Sequence, residues 1–373
     1  MKTALIHIGW PKTGTSSLQY FLEKNRKALW KQGYLLPRSL GFANHINVAV
    51  SCHDFFRGDD LCKTLGLETQ EQWSNFDRDV WKKIRNEVHA NPEHHLLLSS
   101  EIFVGSLETQ SEIERLKKRI AELGFSQIKV IMFLRNPSDM MQSHHFTDTV
   151  YWGRSRQNPP LPDDPFAEFL CDIKTRISLW DDVFGRQSIV ARLYEPEPGI
   201  TISTIDDFLS IVPELDRKKF RTTKPKNTSS SALGIEVAAR VNFKMPFIVD
   251  GKVNPLRKEL GPYLRKKYPG ESYVMPNTLR KSYDSYYAAS NEWVRAEFFP
   301  HRDELFHPKN DLGNSSAHHY SSDFLESEAE EAIRYLKKRH EFRLRKMAFK
   351  KKRNAMLEKI KNIFDKIKMK NHQ

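Results

Sequence analysis

Residues 3–8, TALIHI, are a short apolar run with β-branched members that feeds straight into Gly9-Trp10-Pro11-Lys12-Thr13-Gly14-Thr15-Ser16. Residues 16–30 then carry Leu18, Phe21, Leu22 and Leu29 at the spacing of one helical face. A strand apolar on both of its sides belongs inside a parallel sheet, where helices cover both faces. Parallel neighbours in turn require crossover connections, so the first thirty residues already demand more strands and helices. The chain supplies them. Residues 34–36 read as a short strand, 76–90 as a helix through Val80, Ile84 and Val88, and His95–Ser99 as a buried strand. A charged helix over 110–123, the strand Gln127–Leu134, a helix over 138–150, a strand over 188–193 and a helix from Thr204 to Ile211 follow. Residues 37–75 show no periodicity and read as an irregular, substrate-facing region. A turn is expected at 195–199.

The fold class is therefore α/β, a P-loop-type parallel sheet flanked by helices, with helical C-terminal additions. The boundaries expected are a main domain over 1–306, a linker over 307–330 and a helical tail over 331–373. The glycines at 9 and 14 let the loop turn tightly, and N–H groups at a helix N-terminus attract anions. Thr13, Thr15, Ser16 and Ser17 add hydroxyl donors. The two glycines have the spacing of GxxxxGK[ST], but Thr15 stands where that pattern has lysine, and a lysine sits inside the loop at Lys12. A P-loop kinase with a shifted phosphate lysine is one reading, and an ordinary polar turn is another.

Further signals lie at two strand ends. Arg135 ends the strand Gln127–Leu134, where open α/β sheets bind ligands, and an arginine there can hold a phosphate bidentately. Ser143 falls in the second turn of the next helix and can face the same phosphate. A strand-end arginine paired with Asp139 is the structural alternative. Glu101 follows His95–Ser99 at the same sheet edge and suits a general base; it could instead initiate a helix or sit in a salt bridge. His144 and His145 are competing bases or acceptor contacts, of which only one is expected to face a site. His45 is a candidate acceptor contact, and His7, in mid-strand, reads as a packed core residue. Cys52 and Cys62 could join His45 or His53 around a metal, but no CxxC pair supports this, and no metal site is expected.

The loop segment IHIGWPKTGTSSLQYFL resembles the 5′-phosphosulfate loop of sulfotransferases that use 3′-phosphoadenosine-5′-phosphosulfate (PAPS). RNPSDMMQS, from Arg135 to Ser143, resembles the 3′-phosphate motif of the same family. Residues 227–243 and 291–306 look like segments of its bacterial, carbohydrate-type members. The resemblance implies that Lys12, Thr13, Gly14, Thr15, Ser16 and Ser17 cradle the 5′-phosphosulfate. It puts Lys12 near the bridging oxygen, Arg135 and Ser143 on the 3′-phosphate, and Tyr194 near the adenine. It makes Glu101 the catalytic base, PAPS the co-substrate and a hydroxyl of a glycan or glycolipid the acceptor, with no metal. The glycine-rich C-terminal nucleotide motif of the animal cytosolic enzymes is not recognisable here, and residues 224–230 are the only suggestion for its replacement.

Charge bears on partners. The net charge is +13, but residues 331–373 hold 16 Lys and Arg against 4 Asp and Glu, a net +12, which leaves +1 for the preceding 330 residues. Nucleic-acid binding by the main domain is thus not expected. Met356, Leu357, Ile360, Ile363, Phe364 and Ile367 share one helical face among the tail's lysines. Such a helix suits a membrane surface or a partner, or packs on its own domain. A non-catalytic nucleotide- or polyanion-binding protein using that tail is the remaining alternative. The apolar run near the N-terminus is too short for a signal peptide, and no stretch approaches the ~20 apolar residues of a membrane span, so a cytoplasmic location is expected.

Overall fold

A computed structural model describes residues 2–156, 158–194, 203–222, 231–307 and 320–370; the turn at 195–199 and the segment 224–230 lie outside the described residues. Contacts divide the chain into two units, one of residues 1–147, 156–229 and 272–317, the other of residues 148–155, 230–271 and 318–373.

The first unit is built on five parallel strands, β1 (Thr3–His7), β2 (Tyr34–Leu35), β3 (His95–Ser99), β4 (Gln127–Leu134) and β5 (Ile189–Leu193), in the order β2-β3-β1-β4-β5. Helices α1 (Thr15–Lys24), α2 (Arg26–Lys31), α3 (Ile46–Ser51), α4 (Asp60–Thr64), α5 (Gln70–His89), α6 (Ile102–Ser106) and α7 (Gln110–Glu122) precede β4. Then come α8 (Pro137–Tyr151), α9 (Pro165–Cys171), α10 (Ile173–Phe184) and α11 (Thr204–Ile211).

Successive side chains on a strand point to opposite faces, and here both faces are apolar. Ala4, Ile6, Leu96, Leu98, Val130 and Met132 face one core, which α5, α7 and α10 cover with residues such as Ile84, Leu116 and Ile177. Leu5, Leu97, Ile131 and Phe133 face the other, closed by Leu18 and Leu22 of α1 and Phe208 of α11. The unbroken apolar strands of the sequence are the consequence of this double cover.

Three details differ from the sequence reading. The helix expected over 16–30 is two helices, because buried Asn25 turns its amide to Phe21 O and Arg221 O and accepts from Arg221 N–H, holding a distant segment instead of continuing the helix. Residues 37–75 contain α3 and α4. And α5 starts at Gln70, six residues before the expected 76, because the Thr69 hydroxyl caps it by accepting from Gln72 N–H at 3.2 Å. Its polar first turns carry no apolar period to reveal them.

The second unit contains α12 (Ala232–Lys244), a hairpin of β6 (Ile248–Val249) and β7 (Lys252–Val253), α13 (Leu260–Lys267) and the 49-residue α16 (Ser322–Lys370). Between α13 and α16 in sequence, α14 (Asn277–Tyr286) and α15 (Ala288–Phe298) belong to the first unit. Residues 322–330 of α16 fall in the stretch read above as linker. Leu325, Ala329, Ala332 and Leu336 bury one side of α16, and Lys244 and Lys267 bridge its acidic first turns. Among the described residues, no helix is long and apolar enough to cross a membrane.

Candidate active site

In an all-parallel sheet every strand delivers its next residues to the same edge. The chain leaves β1 toward β2 on one side and leaves β4 toward β5 on the other, so the crevice outside β1 and β4 is the switch point of the sheet. Residues 8–17, Glu101, Arg135 and Tyr194 all emerge on this edge, tied by Ser100 N–H to His7 O at 2.9 Å and Tyr194 N–H to Leu134 O at 2.8 Å.

The loop after β1 is held from several sides. Trp10 is buried, with its indole N–H on Leu170 O at 3.0 Å, and the Thr13 hydroxyl donates to Trp10 O at 2.7 Å. Lys12 takes a φ of +66°, a left-handed conformation that costs a non-glycine residue about 1–2 kcal/mol. Its carbonyl accepts from Arg135 Nη1 at 2.7 Å, and its ammonium donates to Thr147 Oγ1 at 3.2 Å. The loop backbone is thus strained and braced at Lys12. Gly14, with φ +79°, opens α1, and a Cβ there would lie 2.4 Å from Thr204 Oγ1. Thr204 donates to Thr13 O at 3.0 Å, which sets the start of α11 against the loop. Ser17 and Leu18 N–H close the first turn of α1 on Gly14 O at 2.9 and 3.1 Å, and N–H groups ahead of them, at a helix N-terminus, are of the kind that attract anions.

Glu101 stands at the N-cap position of α6 but makes no capping bond with its side chain. Its carboxylate instead accepts from the Thr15 hydroxyl. The carboxylate and the phosphate loop are therefore joined directly. Gly9 makes this approach possible: at φ +67°, a Cβ would fall 2.7 Å from Glu101 Cα, closer than atoms pack. Gly9→Ala is expected to force the two segments apart at a cost of about 1–3 kcal/mol, the range for overpacking. Thermal unfolding should report that loss.

Arg135 and Tyr194 come together, the guanidinium carbon 5.0 Å from the ring centroid, an arrangement that fixes the arginine by cation–π attraction. Ser143 is half-buried in the second turn of α8, on the side of Asp139 by i,i+4 spacing. Ser16 is exposed and Ser17 half-buried at the start of α1. Thr13 and Thr15 direct their hydroxyls to Trp10 O and to the Glu101 carboxylate.

The histidines sit deeper than the sequence reading supposed. His144 and His145 are both buried, their rings against Phe166 and Tyr273 at 5.4 and 4.8 Å between centroids. Both are buried because α8 is enclosed on more than one side, as buried Met140 and Met141 also show. His7 packs edge-on against Phe133 and Phe208, as expected of a core residue. His45 is fully buried, and its Nδ1 accepts from Ser99 N–H at 3.1 Å, which fixes the ring proton on Nε2. Burial, helped by the Arg26 charge, pushes its pKa down to about 3. A lowered histidine pKa means that the unfolded chain binds more protons below about pH 6.5, so stability falls as the pH drops from there toward 3. His45→Asn keeps an acceptor for Ser99 but does not titrate. Denaturant titrations should show its loss of stability on acidification to be shallower than wild type by about 1.4 kcal/mol per pH unit.

Sequence reasoning missed Thr147, Thr204 and Arg280. Buried Arg280 donates to Ser138 Oγ, Asp139 Oδ1 and Gln142 Oε1 at 3.0, 2.7 and 2.8 Å and so fixes the first turn of α8 beside Arg135. No local pattern marks any of the three; each acts across more than 130 residues. Cys52, Cys62 and Cys171 are free and buried. Among the described residues, no group of three or more His, Cys, Asp or Glu side chains is placed to hold a metal ion.

No family model and no curated protein matches the chain. Among solved structures it is similar to the crystal structure of a sulfotransferase from Alicyclobacillus acidocaldarius, at 15% identity over 81% of this chain and 97% of that one, with a TM-score of 0.37. A superposition this loose says nothing about chemistry.

Proposed function

We propose that the protein transfers the sulfuryl group of PAPS to a hydroxyl of a glycan, either a polysaccharide or a glycolipid. The observation that carries this reading is the bond from Arg135 Nη1 to Lys12 O, which joins two anion-binding elements 123 residues apart. One phosphate loop suits many nucleotides. A second cationic element at its rim suits a nucleotide with phosphates at both ends of the ribose, as in PAPS. In the reaction the acceptor oxygen attacks sulfur and the bond from sulfur to the bridging oxygen breaks. Glu101 takes the hydroxyl proton, and Lys12 offsets the charge that develops on the bridging oxygen, which departs with adenosine 3′,5′-bisphosphate. The preference for a glycan rests on the resemblance of the two nucleotide motifs to those of carbohydrate-type sulfotransferases.

Calorimetry tests the nucleotide. Adenosine 3′,5′-bisphosphate should bind without metal and more tightly than ATP. Binding of ATP that depends on Mg²⁺, with none of the bisphosphate, would mean a kinase. Binding of the bisphosphate with no transfer from PAPS to any of a panel of oligosaccharides would remove the glycan acceptor and leave the nucleotide assignment standing.

A further inference from the structure

The two sides of α16 differ in what they meet. Leu325, Ala329, Ala332 and Leu336 form the seam by which its first turns pack within the second unit. Phe342, Phe349 and Met356 follow one another at seven-residue intervals on another line, 57%, 70% and 64% exposed, with Leu357 beside them, while Leu344 and Met347, 52% and 67% exposed, lie off that line. At 100° per residue, this line lies about 120° from the packing seam, so it is a separate face and not the seam running on. The same stretch is strongly cationic: residues 339–353 hold eight Lys and Arg and one Glu.

Aromatic and methionine side chains on an exposed, highly charged helix ask for an occupant that is apolar and anionic together. A second copy of this helix offers apolar groups but the same positive charge, and the two rows of lysines would repel. A nucleic acid satisfies the cations and leaves Phe342, Phe349 and Met356 in water. An anionic lipid surface satisfies both, because the apolar stripe enters the acyl boundary while the cations stay at the headgroups. We infer that the outer half of α16 lies on anionic membrane surfaces as a peripheral anchor. The inference is independent of the sulfuryl-transfer reading.

The experiment is flotation of the full chain with vesicles of phosphatidylcholine alone, and of equal parts phosphatidylcholine and phosphatidylglycerol. Binding is expected only to the anionic vesicles. Lys350→Glu/Lys351→Glu/Lys352→Glu should weaken it by more than about tenfold. Phe342→Ser/Phe349→Ser should weaken it as clearly although the charge is unchanged, with thermal unfolding of both variants as in wild type. Failure to float, or flotation that ignores the phenylalanines, overturns the inference. So does a dimer in light scattering that the phenylalanine variant dissolves, or a poly(U) probe that strips the protein from the vesicles.

Discussion

Glu101→Gln is expected to lower turnover by about 10²- to 10⁴-fold, the usual contribution of a positioned general base. The substitution is nearly isosteric, and the glutamine carbonyl can still accept from the Thr15 hydroxyl that holds the native carboxylate. The loop after β1 therefore keeps its shape, and affinity for adenosine 3′,5′-bisphosphate should be unchanged by calorimetry. What is lost is the ability to take a proton. Turnover that survives the change removes Glu101 from the role of base. Loss of bisphosphate affinity would instead show that the carboxylate organises the loop.

Arg135→Ala is expected to weaken binding of adenosine 3′,5′-bisphosphate by about 10- to 150-fold, since a hydrogen bond from a charged donor contributes about 1.5–3 kcal/mol. The discriminating measurement is the same titration with adenosine 5′-monophosphate. If Arg135 serves the 3′-phosphate, the monophosphate loses much less. If both ligands lose equally, the arginine acts mainly through Lys12 O, which its Nη1 already holds. Arg135→Lys sharpens the contrast. A single ammonium lacks the planar fork that can hold the loop carbonyl and grip a phosphate at once, so charge alone should recover only part of the affinity.

How much of this was legible beforehand differs by element. β1, β3 and β4 were plain because a strand apolar on both faces has few other homes. The positions of Lys12, Glu101 and Arg135 at one edge followed, since parallel strands all end on the same side. Helix limits were less legible. Asn25 breaks a helix that its apolar neighbours continue, and the polar first turns of α5 hide a helix that Thr69 caps. The histidines were the least legible. His45, His144 and His145 sit in segments that look polar, and only packing by distant residues buries them.

The loop that begins at Gly9 shows where the line falls. Its place between a buried strand and a helix is a local matter of period and composition, and the sequence alone determines it. The left-handed turn at Lys12, the approach of Gly9 to Glu101, the hydroxyl that Thr15 gives to that carboxylate and the bond from Arg135 to Lys12 O were decided only in the tertiary structure. The reason is geometric. Periodicity along a chain reports which face of a segment is buried, but it carries no information on the rotation and register at which two segments about a hundred residues apart come to rest. Those contacts, and with them the chemistry proposed for the site, arise from packing.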